Sequence, residues 1–342
     1  MVLEKLFPKN WAEHKLRYTL LIGIVYSSVS ILISFLLFGK NSGLISVVLT
    51  SLLILPLLER LLKKEESQEE RERAFSLRHL FRDNKEAVVT YFMLFISIFF
   101  TYASYVFIFH LLGVNILSSF HGQLLLDFSK GGATFMFQDF WTILANNWWV
   151  LLTIFIVSLF VKDGGIFFVV WNASSWGVIL SYRAITSASY VGGSSLKFFF
   201  IILGLTAPFL ILEALAYILA AISGSIISND VVKKSSYVHK FILFSIIGIG
   251  ISLVLHFFLT FFGIPSWIAI LLQMLVIVII LTLLSRTFQQ KKYREVFMYN
   301  FYLFIFAVLI FIAGALLEAL ITNNVNILTK IYSTSMLFTL PV

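Results

Sequence analysis

The sequence predicts an all-α, polytopic transmembrane helical bundle of about seven to nine membrane segments, with room for re-entrant or interrupted helices. Three observations carry this. Hydrophobic residues form 60% of the 342 positions and charged residues only 12%, where a soluble domain carries about a quarter charged residues. Apolar runs of about 20 residues, the length a helix needs to cross a bilayer, recur along the whole chain. The lysines and arginines lie mainly between those runs, where they orient the chain in the membrane. The formal net charge of +8 therefore speaks for topology and not for nucleic acid, and the lipid bilayer is the first partner. The lack of cysteine excludes a disulfide framework, thiolate chemistry and cysteine-ligated metal.

Taken in order, the opening MVLEKLFPKNWAEHKLR is polar and amphipathic, and the first apolar run begins near Tyr18, as suits an uncleaved first span. Spans are expected at 18–38, 43–62, 88–112, 147–161, 164–182, 197–228, 241–262, 265–284 and 299–322. Pro56 and the pair Glu59–Arg60 predict a kink or an early end in the second. Residues 59–87, ERLLKKEESQEERERAFSLRHLFRDNKEA, are the only strongly charged segment, and their spacing predicts a solvent-exposed helical arm fit for a cytoplasmic protein partner. The basic residues of this arm and of the N-terminus place both on the cytoplasmic side. The clusters Lys233, Lys234, Lys240 and Arg286, Lys291, Lys292, Arg294, two spans apart, agree with that side.

Two short apolar runs meet at KDGG, which makes 164–182 a candidate re-entrant element. Residues 113–146 are less apolar and read as an extracytoplasmic or interfacial region. FMFQDFWTILA would lie along the membrane surface, with Trp141, Trp148 and Trp149 in the aromatic belt. No fixed-period repeat and no linker divides the chain, so residues 1–342 read as one integral domain, multi-pass in the cell membrane.

Polar side chains inside apolar runs are the candidate functional residues, because lipid offers them no hydrogen-bond partner. They are Asn146 and Asn147, Asn172 with Ser174 and Ser175, Glu213, Gln273 and Glu318. Glu213 carries the strongest signal, being halfway along KFFFIILGLTAPFLILEALAYILAAISGSIIS. At about 100° per residue, Glu213, Tyr217, Ala220 and Gly224 share one helix face. Ala216, Ala220, Gly224 and Ser228 form a small-xxx-small series that lets helices approach backbone to backbone. Glu213 should therefore point into a helix–helix contact. Pro208 frees backbone carbonyls one turn earlier and can bend the helix. A neutral Glu213 could donate to Asn172, whose amide both donates and accepts.

The cluster of Glu213, Asn172, Asn147, Asn146, Tyr217 and Ser175 is thus either an interhelical clamp or a site for an ion or proton. Glu318, near the end of its span, is a secondary candidate that can reach the interface. His110 and His256 stand alone, without companions at metal-ligand spacing, so neither metal nor cofactor is expected. HExxH and the nucleotide-binding glycine loop are both missing. SGS at 223–225 and Asp163 are too generic for a hydrolase. Catalytic residues are not expected.

ILANNWWVLLTIFIVSLF, GGIFFVVWNASSWGVILSYRA and EALAYILAAISGSIIS resemble the stage II sporulation protein M family. MVLEKLF and LISVVLTSLLILPLLE look like its archaeal branch, FIAGALLEALIT looks like its final helix, and the resemblance covers nearly the whole chain. Its most specific parts are the Asn146–Asn147 pair, the WNAS block and the block from Glu213 to Tyr217. Family members commonly carry a histidine shortly before this glutamate. Here Phe209, Leu210, Ile211 and Leu212 stand in its place, so a His–Glu relay is not available. The resemblance implies an integral membrane protein without known enzymatic activity. The family's bacterial member is a membrane scaffold acting with cell-wall hydrolases in forespore engulfment. Members in organisms that do not sporulate imply a wider role in membrane organisation or transport. The expectation is a non-enzymatic membrane scaffold, with a transporter or channel around Glu213 and Asn172 as the alternative. The small-residue faces would allow a homo-oligomer.

Overall fold

A computed structural model describes residues 16–39, 42–69, 84–124, 137–161, 164–228, 238–262, 266–286 and 291–322. Among these residues the chain is helical throughout: α1 Leu16–Phe38, α2 Ser42–Glu69, α3 Lys85–Leu111, the single turns α4 Ile116–Ser119 and α5 His121–Leu124, then α6 Phe137–Phe160, α7 Gly165–Val191, α8 Ser195–Ile227, α9 Val238–Phe261, α10 Ser266–Arg286 and α11 Lys291–Thr322. Seven helices are long and apolar enough to cross a membrane, namely α1, α3, α6, α7, α8, α10 and α11. The protein is an all-α, polytopic membrane bundle.

Several spans differ from their sequence expectation. Pro56 does not end α2, which runs unbroken to Glu69, although its apolar part stops at Leu58. The helix thus carries the first part of the 59–87 arm; residues 70–83 of the arm lie outside the described residues, as do the N-terminal residues 1–15. Residues 164–182 are not re-entrant. They open a continuous 27-residue helix, α7, that is about 40 Å long at 1.5 Å per residue. Residues 137–146 are the opening turns of α6, whose apolar span begins at Phe140. Trp148 is 1% exposed and belongs to the core, not to an aromatic belt.

α8 is the hub, packed against α11, α7 and α6. Its first half is mostly half-buried or exposed, whereas nearly every residue from Phe209 to Ile227 is buried. Pro208 marks that change. At 33 residues, about 50 Å, α8 exceeds the roughly 30 Å hydrocarbon core, so it must tilt or project beyond it. A second group, α1, α2 and α3, joins the hub through α3 on α7. There Gly177 brings α7 onto the backbone of α3, where an added Cβ would overlap the Phe99 carbonyl oxygen. The α9–α10 hairpin is peripheral, with α9 packed chiefly on α10.

Helix α7 runs antiparallel to α6 and α8, and α2 runs antiparallel to α3. Gly165, at the start of α7, meets Ser158 near the end of α6 and Ala221 near the end of α8. Gly43, at the start of α2, meets Ser119 and Gln123 beyond the end of α3. Gly113, with φ +69°, turns the chain after α3 and accepts this left-handed conformation without a Cβ penalty.

Candidate functional site

The site is built where α8 crosses α6 and α11. Pro208 cannot donate a backbone hydrogen bond, and Glu213 follows one turn later, near the middle of α8. Its side chain is 2% exposed. Asn147 on α6 donates from Nδ2 to Glu213 Oε1 at 2.6 Å, a short bond between two helices. On the other side Gly314 of α11 lies flat against α8. A Cβ added there would stand 3.4 Å from Glu213 Cγ and 3.3 Å from Leu212 Cβ. These distances are close to ordinary van der Waals contact, so α11 packs directly on the stem of the carboxyl group.

The same face of α8 continues towards its C-terminal end. Tyr217 is 3% exposed and Ala220 and Ala216 are fully buried. Gly224 fits against α6, where an added Cβ would come 2.6 Å from the Phe155 carbonyl oxygen and from Ser158 Cβ. Ser228, 1% exposed, ends the small-residue series. Asn147, Phe155 and Ser158 all belong to α6, so the carboxyl contact and the glycine contact are two points of one parallel helix pair. Ser223 adds a tie to α11, its Oγ donating to the Asn300 carbonyl at 2.6 Å.

The pairing differs from expectation in one respect. Asn172 does not meet Glu213; its Nδ2 donates at 2.8 Å to the Phe168 carbonyl one turn back in α7. A carboxamide in a long apolar helix can satisfy its donor on its own backbone, so no neighbouring helix is required. Ser174 does the same with Trp171 at 2.9 Å, and Ser175 Oγ is buried without a hydrogen-bond partner. Asn146, adjacent to the pairing residue, faces outward and is exposed.

Glu318 was expected to reach the interface. It is half-buried and its Oε2 is covered. Glu213 and Asn147 form the polar contact that joins α6 to α8, with the buried Tyr217 one turn further along α8. Among the described residues no three His, Asp or Glu side chains gather as a metal would need.

Sequence reasoning missed two positions. Gly314 packs on the carboxyl stem, and its signal was its place four residues before Glu318 on the helix face. Gln123 is fully buried in α5, neither of its amide atoms makes a hydrogen bond, and Gly43 of α2 is pressed against it. Its segment had been read as interfacial, so no signal pointed there. Compared with models of protein families, with curated proteins and with solved structures, the chain matches none of them.

Proposed function

We propose that this chain is a non-catalytic membrane scaffold, a rigid helical body that carries the charged 59–87 segment as its docking element on the cytoplasmic side. The observation that carries the reading is the closure of Glu213, 2% exposed and held at 2.6 Å by Asn147. A carboxylate that loads an ion from water needs a wet path. This one spends an oxygen on holding α6 to α8, and Gly314 walls its flank. Basic residues crowd the N-terminus, the 59–87 segment and the clusters at 233–240 and 286–294, each of them beside an apolar run. That grouping supports a cytoplasmic assignment by the positive-inside rule. The resemblance to the stage II sporulation protein M family, whose bacterial member is a scaffold, points the same way.

Replacing residues 70–82 by a Gly/Ser linker spares α2 and α3 and tests the arm. Full-length protein purified from its own membranes should bring one partner in near-stoichiometric amount, and the linker variant should lose it with an unchanged melting temperature. An identical set of companions in both preparations would remove the arm from the proposal.

A second reading has one observation in its favour, a carboxyl group that is 2% exposed near the middle of a helix long and apolar enough to cross a membrane. Such a group could pass a proton or hold a cation. Proteoliposomes of wild type and Glu213→Gln should show no proton-coupled ion flux if the group is structural. A wild-type flux that disappears in a stable Gln variant would overturn the scaffold-only function and make Glu213 a carrier residue.

A further inference from the structure

Three buried polar side chains near the α1–α2 turn find no hydrogen-bond partner among the described residues. They are Ser30 and Ser34 of α1 and Gln123 of α5, each fully buried, and in Gln123 the oxygen and the nitrogen are both unpaired. Ser30 and Ser34 share a face of α1 with Gly23, which packs on Ser97 of α3, so they point into the α1–α3 group. They lie eight and four residues before the end of α1, and Thr50 and Ser46 lie eight and four residues after the start of α2. The short turn between these two packed helices thus sets the four hydroxyls at matching depth. Ser46 Oγ accepts from the Tyr102 hydroxyl of α3 at 2.8 Å, which brings in the third helix. Gln123 joins from the turn end. Gly43 is pressed against its Oε1 and against the Ser119 carbonyl oxygen, which accepts from Ser42 Oγ at 3.0 Å.

We propose that this polar group binds ordered water, held by Gln123, Ser30 and Ser34 together with the α2 hydroxyls. Burying a polar atom unpaired is costly, and buried polar groups are met by other protein groups or by ordered water. The fold keeps these side chains inside. Phe120 and Leu124, each 1% exposed, anchor the α4–α5 segment on either side of Gln123, and the close approach at Gly23 fixes the face of α1. The unpaired atoms select the ligand. Gln123 Nε2 needs an acceptor, its Oε1 needs a donor, and each serine hydroxyl can be either. A cation would serve only the oxygens, and an anion only the donors. Water donates and accepts at once, and interiors hold it by about three such contacts. The site is independent of Glu213 and of the 59–87 segment.

Hydroxyl-radical footprinting of the full-length protein by brief X-ray pulses reads bound water, because radicals form at buried waters and oxidise the side chains beside them. Phe120, whose ring lies 6.3 Å from that of Tyr102, should be oxidised several-fold faster than Phe304 and Phe311 of α11, which are as deeply buried. Gln123→Leu should bring Phe120 down to the rate of Phe304, and Ser30→Ala/Ser34→Ala should lower it in part. A wild-type Phe120 as protected as Phe304 would overturn the proposal. An undiminished rate in the folded variants would do the same, since these side chains would then hold no water. The serine variant removes only two oxygen atoms, so it keeps the test decisive if Gln123→Leu does not fold.

Discussion

Glu213→Ala is expected to destabilise the bundle by about 1–3 kcal/mol, because it removes the acceptor of a buried interhelical hydrogen bond and leaves the Asn147 amide short of a partner. Glu213→Gln should stay within a few tenths of wild type, since its carbonyl oxygen can still accept from Asn147 Nδ2. Asn147→Leu should weaken the protein from the other side. If the two residues act as a pair, the double variant should cost less than the sum of the single ones, by a coupling of about 0.5–1.7 kcal/mol, the range of hydrogen bonds between membrane helices. Unfolding by detergent titration, with all five proteins in the same micelles, measures this. A coupling near zero would mean that the 2.6 Å contact carries no stability and that Glu213 is held by its packing alone. A Gln variant as unstable as the Ala variant would mean that the acid itself is needed.

The design of that experiment follows from what the sequence shows and what it does not. The class was legible because lipid imposes it: long apolar runs with few charges have no other stable home. Glu213 was legible for the same reason, as a carboxyl group too far from either helix end to reach water. Its partner was harder to read. Asn147 and Asn172 both offered a carboxamide in an apolar run, and periodicity along one helix does not say which neighbouring helix faces it. The structure resolves this through Asn172, which bonds to its own Phe168 carbonyl, an option open to any Asn or Ser inside a helix. Boundaries failed in a related way. The run 164–182 looked short because Ser181, Tyr182 and Arg183 interrupt its apolar pattern, yet α7 continues to Val191. Intrahelical hydrogen bonds continue whatever the side chains are, so a polar residue ends an apolar run without ending the helix. Glu318 was placed by its distance from the end of its span, which does not set burial: the residue is half-buried with Oε2 covered.

Two glycine-to-alanine changes should have opposite signs, and they test the packing that positions the site. At Gly177 the added methyl would overlap the Phe99 carbonyl oxygen and come 3.2 Å from the Ala103 nitrogen. Both atoms are backbone of α3, so neither can turn aside as a side chain would. Helix α7 must move as a body, and overpacking of that kind costs about 1–3 kcal/mol. At Gly204, an exposed position in the first half of α8, an added Cβ meets nothing within 4 Å. There the methyl group only removes the conformational freedom of glycine, which should stabilise the helix by about 0.5–1 kcal/mol. The same atom added to two helices of one bundle thus separates close approach from intrinsic helix preference. Melting curves of Gly177→Ala and Gly204→Ala in one detergent read the difference. Should Gly177→Ala melt with wild type, α3 and α7 would be free to part by the width of a methyl group. The α7–α8 contact at Gly165 and Ala221 would then stand apart from α3, and the α1–α3 group would be a separate layer resting loosely on the hub.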